Sequence, residues 1–103
     1  MIDGKIIIKK LRWNKEKNEI LKKDRNISFE VVADIIRKGN IIDDIVHPNK
    51  TKFQNQKIFI AEVNNYIYLI PYIETKDEIF LKTIYPSRKF TELYLHGDDN
   101  EKK

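Results

Sequence analysis

Two apolar runs joined by a pair of asparagines constrain this chain more than any other feature. Ile58-Phe59-Ile60-Ala61 and Tyr66-Ile67-Tyr68-Leu69-Ile70 lie on either side of Asn64-Asn65. Each run has strand length and is rich in β-branched and aromatic residues. Asparagine tolerates positive φ, so the pair suits the two-residue turn of a hairpin. The runs are nearly continuous in apolar residues instead of alternating, which predicts central strands with both faces covered. A chain of 103 residues holds one core. The other elements must therefore pack around this hairpin.

Taken in order, Lys5 to Trp13 reads as a first strand. Asn14 is the N-cap of a helix over Lys15 to Asp24, with Ile20, Leu21 and the stem of Lys17 inward and Trp13 packing at its start. Arg25-Asn26 breaks that helix, with Asn26 in a left-handed conformation. Ser28 caps a second helix that buries Phe29, Val32, Ala33 and Ile36, runs to Lys38 and closes at Gly39. The two make a helical hairpin. Strands follow at Ile41 to Val46, Gln56 to Val63, Tyr66 to Ile73 and Glu78 to Tyr85, forming an antiparallel meander. Pro86 stops the last strand, because proline has no N–H for a central ladder. A short helix spans Ser87 to Leu95 and ends at Gly97. The expected architecture is α+β, one domain over residues 1–97 with a flexible charged tail over 98–103.

Hydrophobic residues at 41% and charged residues at 35% fit a folded chain, not a disordered one. No apolar run nears the roughly 18 residues needed to span a bilayer. The N-terminal residues are charged too early for a signal peptide, and cysteine is absent. Together these predict a cytoplasmic protein without disulfides or thiolate chemistry. The net charge of +4 is uneven: Lys5 to Arg25 holds nine cations against three acids, and Lys82 to Lys89 holds three cations and no acid. Such patches favour a polyanionic partner, nucleic acid first. Lysine outnumbers arginine 16 to 4 in a composition also rich in Ile and Asn, so the arginines carry more information.

Metal ligation is poorly supported, since His47 and His96 have no carboxylate at a recognisable ligand spacing. No glycine-rich loop cradles a nucleotide, so no cofactor is expected. The cations and tyrosines remain. RNA can be cut without metal, because its own 2′-hydroxyl is the nucleophile. The protein then supplies a base, an acid and a cation on the crowded phosphate. Arg88, just past the last strand, is the best cation, since its planar fork pairs with two phosphate oxygens. Lys82 and Lys89 are its helpers. Tyr85 can stack a base or give a proton. His47 has the right intrinsic pKa for acid–base work, and Arg25 sits at the helix break. Lys50, Lys52 and Lys57 are candidates for the RNA backbone. Each also has a plainer reading, as a solvated charge, a rim aromatic or a loop residue.

The order of motifs resembles the BrnT toxins. Trp13-Asn14, Lys17 and Ile27-Ser28-Phe29-Glu30 are similar to the Trp-Asp, Lys and Val-Ser-Phe-Glu that recur in that family. Arg88-Lys89-Phe90-Thr91 is similar to its Arg-Lys-Ala-Thr block after the last strand. The likeness covers about residues 11 to 95. It implies a RelE-like ribonuclease fold and a type II toxin, an endoribonuclease that cleaves RNA and stops translation. It also implies a cognate antitoxin, usually of ribbon-helix-helix type, through which the complex reaches operator DNA. The chain departs at two places. Asp24-Arg25-Asn26 stands where the family has Lys-His-Gly, and Asn55-Gln56-Lys57 where it has Glu-Glu-Arg. Loss of these acid–base groups makes a relative that binds antitoxin or nucleic acid without cleaving the alternative expectation.

Overall fold

A computed structural model describes residues 9–49, 51–52 and 55–96. Nine elements follow one another: β1 (Lys10–Arg12), α1 (Lys15–Arg25), α2 (Phe29–Arg37), β2 (Asp43–Val46), β3 (Gln56–Val63), β4 (Tyr66–Glu74), β5 (Glu78–Leu81), β6 (Tyr85–Pro86) and α3 (Arg88–Leu95). The expected start of the first strand at Lys5, the helix stop at Gly97 and the tail lie outside the described residues. Among the described residues no helix is long and apolar enough to cross a membrane.

Local chemistry sets the helix ends. Asn14 Oδ1 accepts from the Lys17 N–H at 2.8 Å, and Ser28 Oγ accepts from the Val31 N–H at 3.3 Å. Asn26 closes α1 at φ 54°, the left-handed region asparagine tolerates. Gly39 follows α2 at φ 73°, where a Cβ would be penalised. Asn64 and Asn65 both take positive φ, 52° and 68°, joining β3 to β4 in the tight turn that matches strand twist.

The sheet order is β1-β5-β4-β3-β2, with β6 also on β4. β2 to β5 form the expected antiparallel meander, and β1 adds parallel to β5. Both faces of the sheet are covered, as the continuous apolar runs require. Phe59, Ala61, Ile70, Tyr72, Ile79 and Leu81 pack against Leu21, Phe29, Val32 and Ile36 of the helical hairpin. Ile58, Ile60, Ile67 and Leu69 form a second cluster on the other face, under Phe90 and Leu95 of α3.

The expected fifth strand, Glu78 to Tyr85, is broken. Leu81 opposes Tyr72 and Tyr85 opposes Leu69. Four steps on one strand therefore match three on the other, so Thr83 and Ile84 together face Ile70 in a bulge. Pro71 accounts for it. Its carbonyl accepts from the Lys82 N–H at 2.8 Å, so its ring nitrogen also faces β5, where a ladder donor is missing. The extra residue reverses the alternation of side chains. Ile79, Leu81 and Ile84 face the helical hairpin, yet Tyr85 joins the α3 face. Pairing with β4 also runs past Pro86: the Ser87 N–H donates to Ile67 O at 2.9 Å.

One expectation for α1 is corrected. Ile20 is 53% exposed, and Asn18 is buried with Leu21. At 100° per residue, neighbouring Ile20 and Leu21 cannot both face the core squarely, and Asn18, three residues before Leu21, shares its face.

Candidate functional site

Arg88 and Lys89 occupy the first turn of α3, and the chain fixes that turn firmly. Ser87 Oγ accepts from the Phe90 N–H at 3.1 Å. Thr91, 4% exposed, donates from Oγ1 to Ser87 O at 2.7 Å and accepts from the Ile67 N–H at 2.9 Å. Ile67 thus anchors α3 through its N–H and, by accepting from Ser87, through its carbonyl. Phe90 stacks on Tyr94 at 5.8 Å.

The charges in this turn run against the helix dipole. α1 has Glu16 and α2 has Glu30 in their first turns, the favoured arrangement, while α3 has no acid there. Arg88 and Lys89 are exposed and have no acidic partner among the described residues. Helix N–H groups and two cations together make this turn attractive to an anion.

Lys82, Tyr85, Arg88 and Lys89 follow the same strand into α3. Tyr85 is half-buried in the second cluster, and Lys82 is exposed with Nζ 5.9 Å from the Phe80 ring centroid. Arg25 reaches the same strand from α1, donating from Nη1 to Ile84 O at 2.6 Å. That bond fixes Arg25 as a brace on the bulge.

The remaining candidates lie elsewhere. His47 follows β2, the far edge strand, and its Nδ1 accepts from the Asn49 N–H at 3.1 Å. At about 4.8 Å per strand, the three strand steps from there to β6 are about 14 Å. Lys57 is held by Asp44 at 3.4 Å. The Lys52 N–H donates to Asn49 Oδ1 at 3.0 Å. Lys50 lies outside the described residues. The Lys82 N–H donates to Pro71 O and the Ser87 N–H to Ile67 O, four β4 residues apart and so about 13 Å along the strand. Lys82 therefore stands at one end of this segment and Arg88 and Lys89 at the other, with Tyr85 and the bracing Arg25 between them, while His47, Lys52 and Lys57 lie toward the far edge of the sheet. Among the described residues no group of three or more His, Cys, Asp or Glu could hold a metal.

Near Lys57, Tyr72 donates its hydroxyl to Asp44 Oδ1 at 2.7 Å, with its ring stacked on Phe59 at 3.9 Å. Burial, and then the Asp44 carboxylate, push the Tyr72 phenol well above its ordinary value. The folded chain therefore keeps a proton that the unfolded chain loses near pH 10. Its contribution is fully present below that pH and is lost as pH rises beyond it. Tyr72→Phe is expected to cost about 1–2 kcal/mol at neutral pH and to flatten the alkaline loss of stability. Urea unfolding of both proteins across pH 7 to about 11 checks this, and equal alkaline slopes would count against it.

Sequence reasoning quoted Thr91 in the Arg-Lys-Phe-Thr block but missed its anchoring of α3 to β4, and it missed the Asp44–Tyr72 bond and the bulge. Pro71 inside an apolar run was the available signal for the bulge. No protein-family model, curated protein or solved structure matches the chain.

Proposed function

We propose that this chain is the toxin of a type II toxin–antitoxin system, a metal-independent endoribonuclease that cleaves RNA and stops translation. The observation that carries the reading is the first turn of α3. It holds Arg88 and Lys89 without acidic partners among the described residues, three and four residues after Tyr85 and on a turn anchored to β4. The BrnT-like motif order supports it independently. The RelE-like reading of the fold belongs to the same proposal, supported by the order strand, helical hairpin, meander, helix.

In this reading Arg88 pairs with the non-bridging oxygens of the scissile phosphate, Lys89 adds charge there, and Lys82 meets the RNA backbone further along the strand. The 2′-hydroxyl of the RNA attacks that phosphorus as its proton leaves to a base. The bond to the 5′-oxygen breaks, leaving a 2′,3′-cyclic phosphate, and the Tyr85 hydroxyl protonates the departing oxygen. A cognate ribbon-helix-helix antitoxin covers the site, and operator DNA is reached through that complex.

The separation of His47 from Arg88 favours a second reading, a binding module that kept the fold without cleavage. Expression without a partner decides between them. The toxin reading expects growth arrest, and RNA cleavage in EDTA by the purified chain or in a translating extract. Unimpaired growth with intact RNA in both assays leaves the binding module.

A further inference from the structure

β1 leaves the sheet at Arg12, opposite Phe80. Past that row no described strand lies beside the outer edge of β5, and residues of α1 line the gap. A hollow of about 480 Å³ opens there, lined by Asn14, Glu16, Lys17, Ile20, Phe80 and Lys82. That volume falls within the roughly 300–1,000 Å³ of small-ligand sites. Ile20 is 53% exposed and Phe80 half-buried, so the hollow presents apolar surface to solvent. Lys17 and Lys82 have no acidic partner among the described residues. An aromatic face between unpaired cations matches single-stranded nucleic acid, because any base offers a π-face to the ring and phosphates flank it.

We propose that this hollow seats one nucleotide of a single-stranded RNA, its base stacked on Phe80 and its flanking phosphates held by Lys17 and Lys82. The proposal rests on the RNA reading above and extends it. Lys82 lies on the segment that leads through Tyr85 to Arg88, about 13 Å further along β4, so an RNA strand that follows this segment from the hollow reaches Arg88. Lys82 now lies beside the Phe80 ring. An exposed cation–π contact is weaker than a base stacked on an aromatic ring, so the base displaces the ammonium, which moves to the phosphate.

The test uses the full chain and a fluorescein-labelled RNA oligomer whose 2′-oxygens are all methylated, so that cleavage cannot interfere. Phe80→Leu is expected to weaken binding about tenfold, and Phe80→Tyr to stay within about twofold of the wild type. Each of Lys17→Gln and Lys82→Gln should lower the slope of log affinity against log salt by about 0.7. Thermal melts establish that each variant is folded. Wild-type affinity in Phe80→Leu, or equal losses in Leu and Tyr, would overturn the site. So would an equal loss of Phe80→Leu affinity for inorganic polyphosphate, which has no base to stack. Phe80-dependent binding in a chain that never cuts RNA would end the ribonuclease reading and leave this site standing. Cleavage with binding indifferent to Phe80 would do the reverse.

Discussion

Arg88→Ala is expected to lower RNA cleavage by about 10²–10³-fold and to abolish growth arrest. That is the usual loss when one preorganised donor is removed from a developing oxyanion, about 2.7–4 kcal/mol. The guanidinium matters for its shape as well as its charge. Arg88→Lys keeps the cation but loses the planar fork, so its rate should fall between the two. The Arg88 side chain is exposed and makes no hydrogen bond or ion pair among the described residues. Its loss should therefore change stability by no more than about 0.5 kcal/mol. Removing a cation from a helix N-terminus should even help slightly. Activity and stability are thus expected to separate, as cleavage rates and thermal melts of the same preparations would reveal. A full cleavage rate in Arg88→Ala would remove Arg88 from the reaction.

Much of the fold was legible because single residues punctuate it. Asn14, Ser28 and Ser87 each cap a helix through a side-chain oxygen, and Asn26, Gly39, Asn64 and Asn65 each take the positive φ that ends or turns an element. These are local effects, set within three or four residues, and a sequence displays them directly. The pairing of β1 with β5 is of another kind. It joins Leu11 to Ile79, and nothing in the three-residue β1 specifies a partner so distant. The bulge is intermediate. Pro71 announces a missing donor, but which residues absorb it depends on the facing strand. The candidate site was legible for the same reason as the caps where it was contiguous, from Lys82 to Lys89. It was not where residues distant in the chain meet, as at the hollow that joins Lys17 and Ile20 of α1 to Phe80 of β5.

Asn18 is the buried polar residue whose loss should cost a large part of the stability. It is 3% exposed, and its amide ties the two helices together. Oδ1 accepts from the Phe29 N–H at 2.8 Å, and Nδ2 donates to both Glu30 oxygens at 2.9 and 3.0 Å. The Phe29 N–H is among the first donors of α2, which the helix itself cannot satisfy. Asn18→Ala leaves that donor buried and unpaired, at about 1–3 kcal/mol, and removes bonds to a carboxylate worth about 1.5–3 kcal/mol before solvent competition. A net loss of about 3 kcal/mol is expected, a large share of the roughly 5–15 kcal/mol that holds a domain. Asn18→Leu refills the volume without the polar atoms, so it should not rescue the loss. The pH dependence gives a further signature. The Asn18 bond, against a smaller opposing effect of burial, holds Glu30 below its ordinary 4.5. Its contribution is therefore present above that value and is lost as pH falls through the lower folded value. Asn18→Ala should weaken this acid-side decline, since Lys22, Ser28 and a backbone hydrogen bond also favour the charged Glu30. Urea unfolding at neutral pH and near pH 4 measures both effects. A loss under about 1 kcal/mol, or an unchanged acid slope, would mean that apolar packing of Leu21, Phe29 and Val32 holds the two helices together and the Asn18 amide does not.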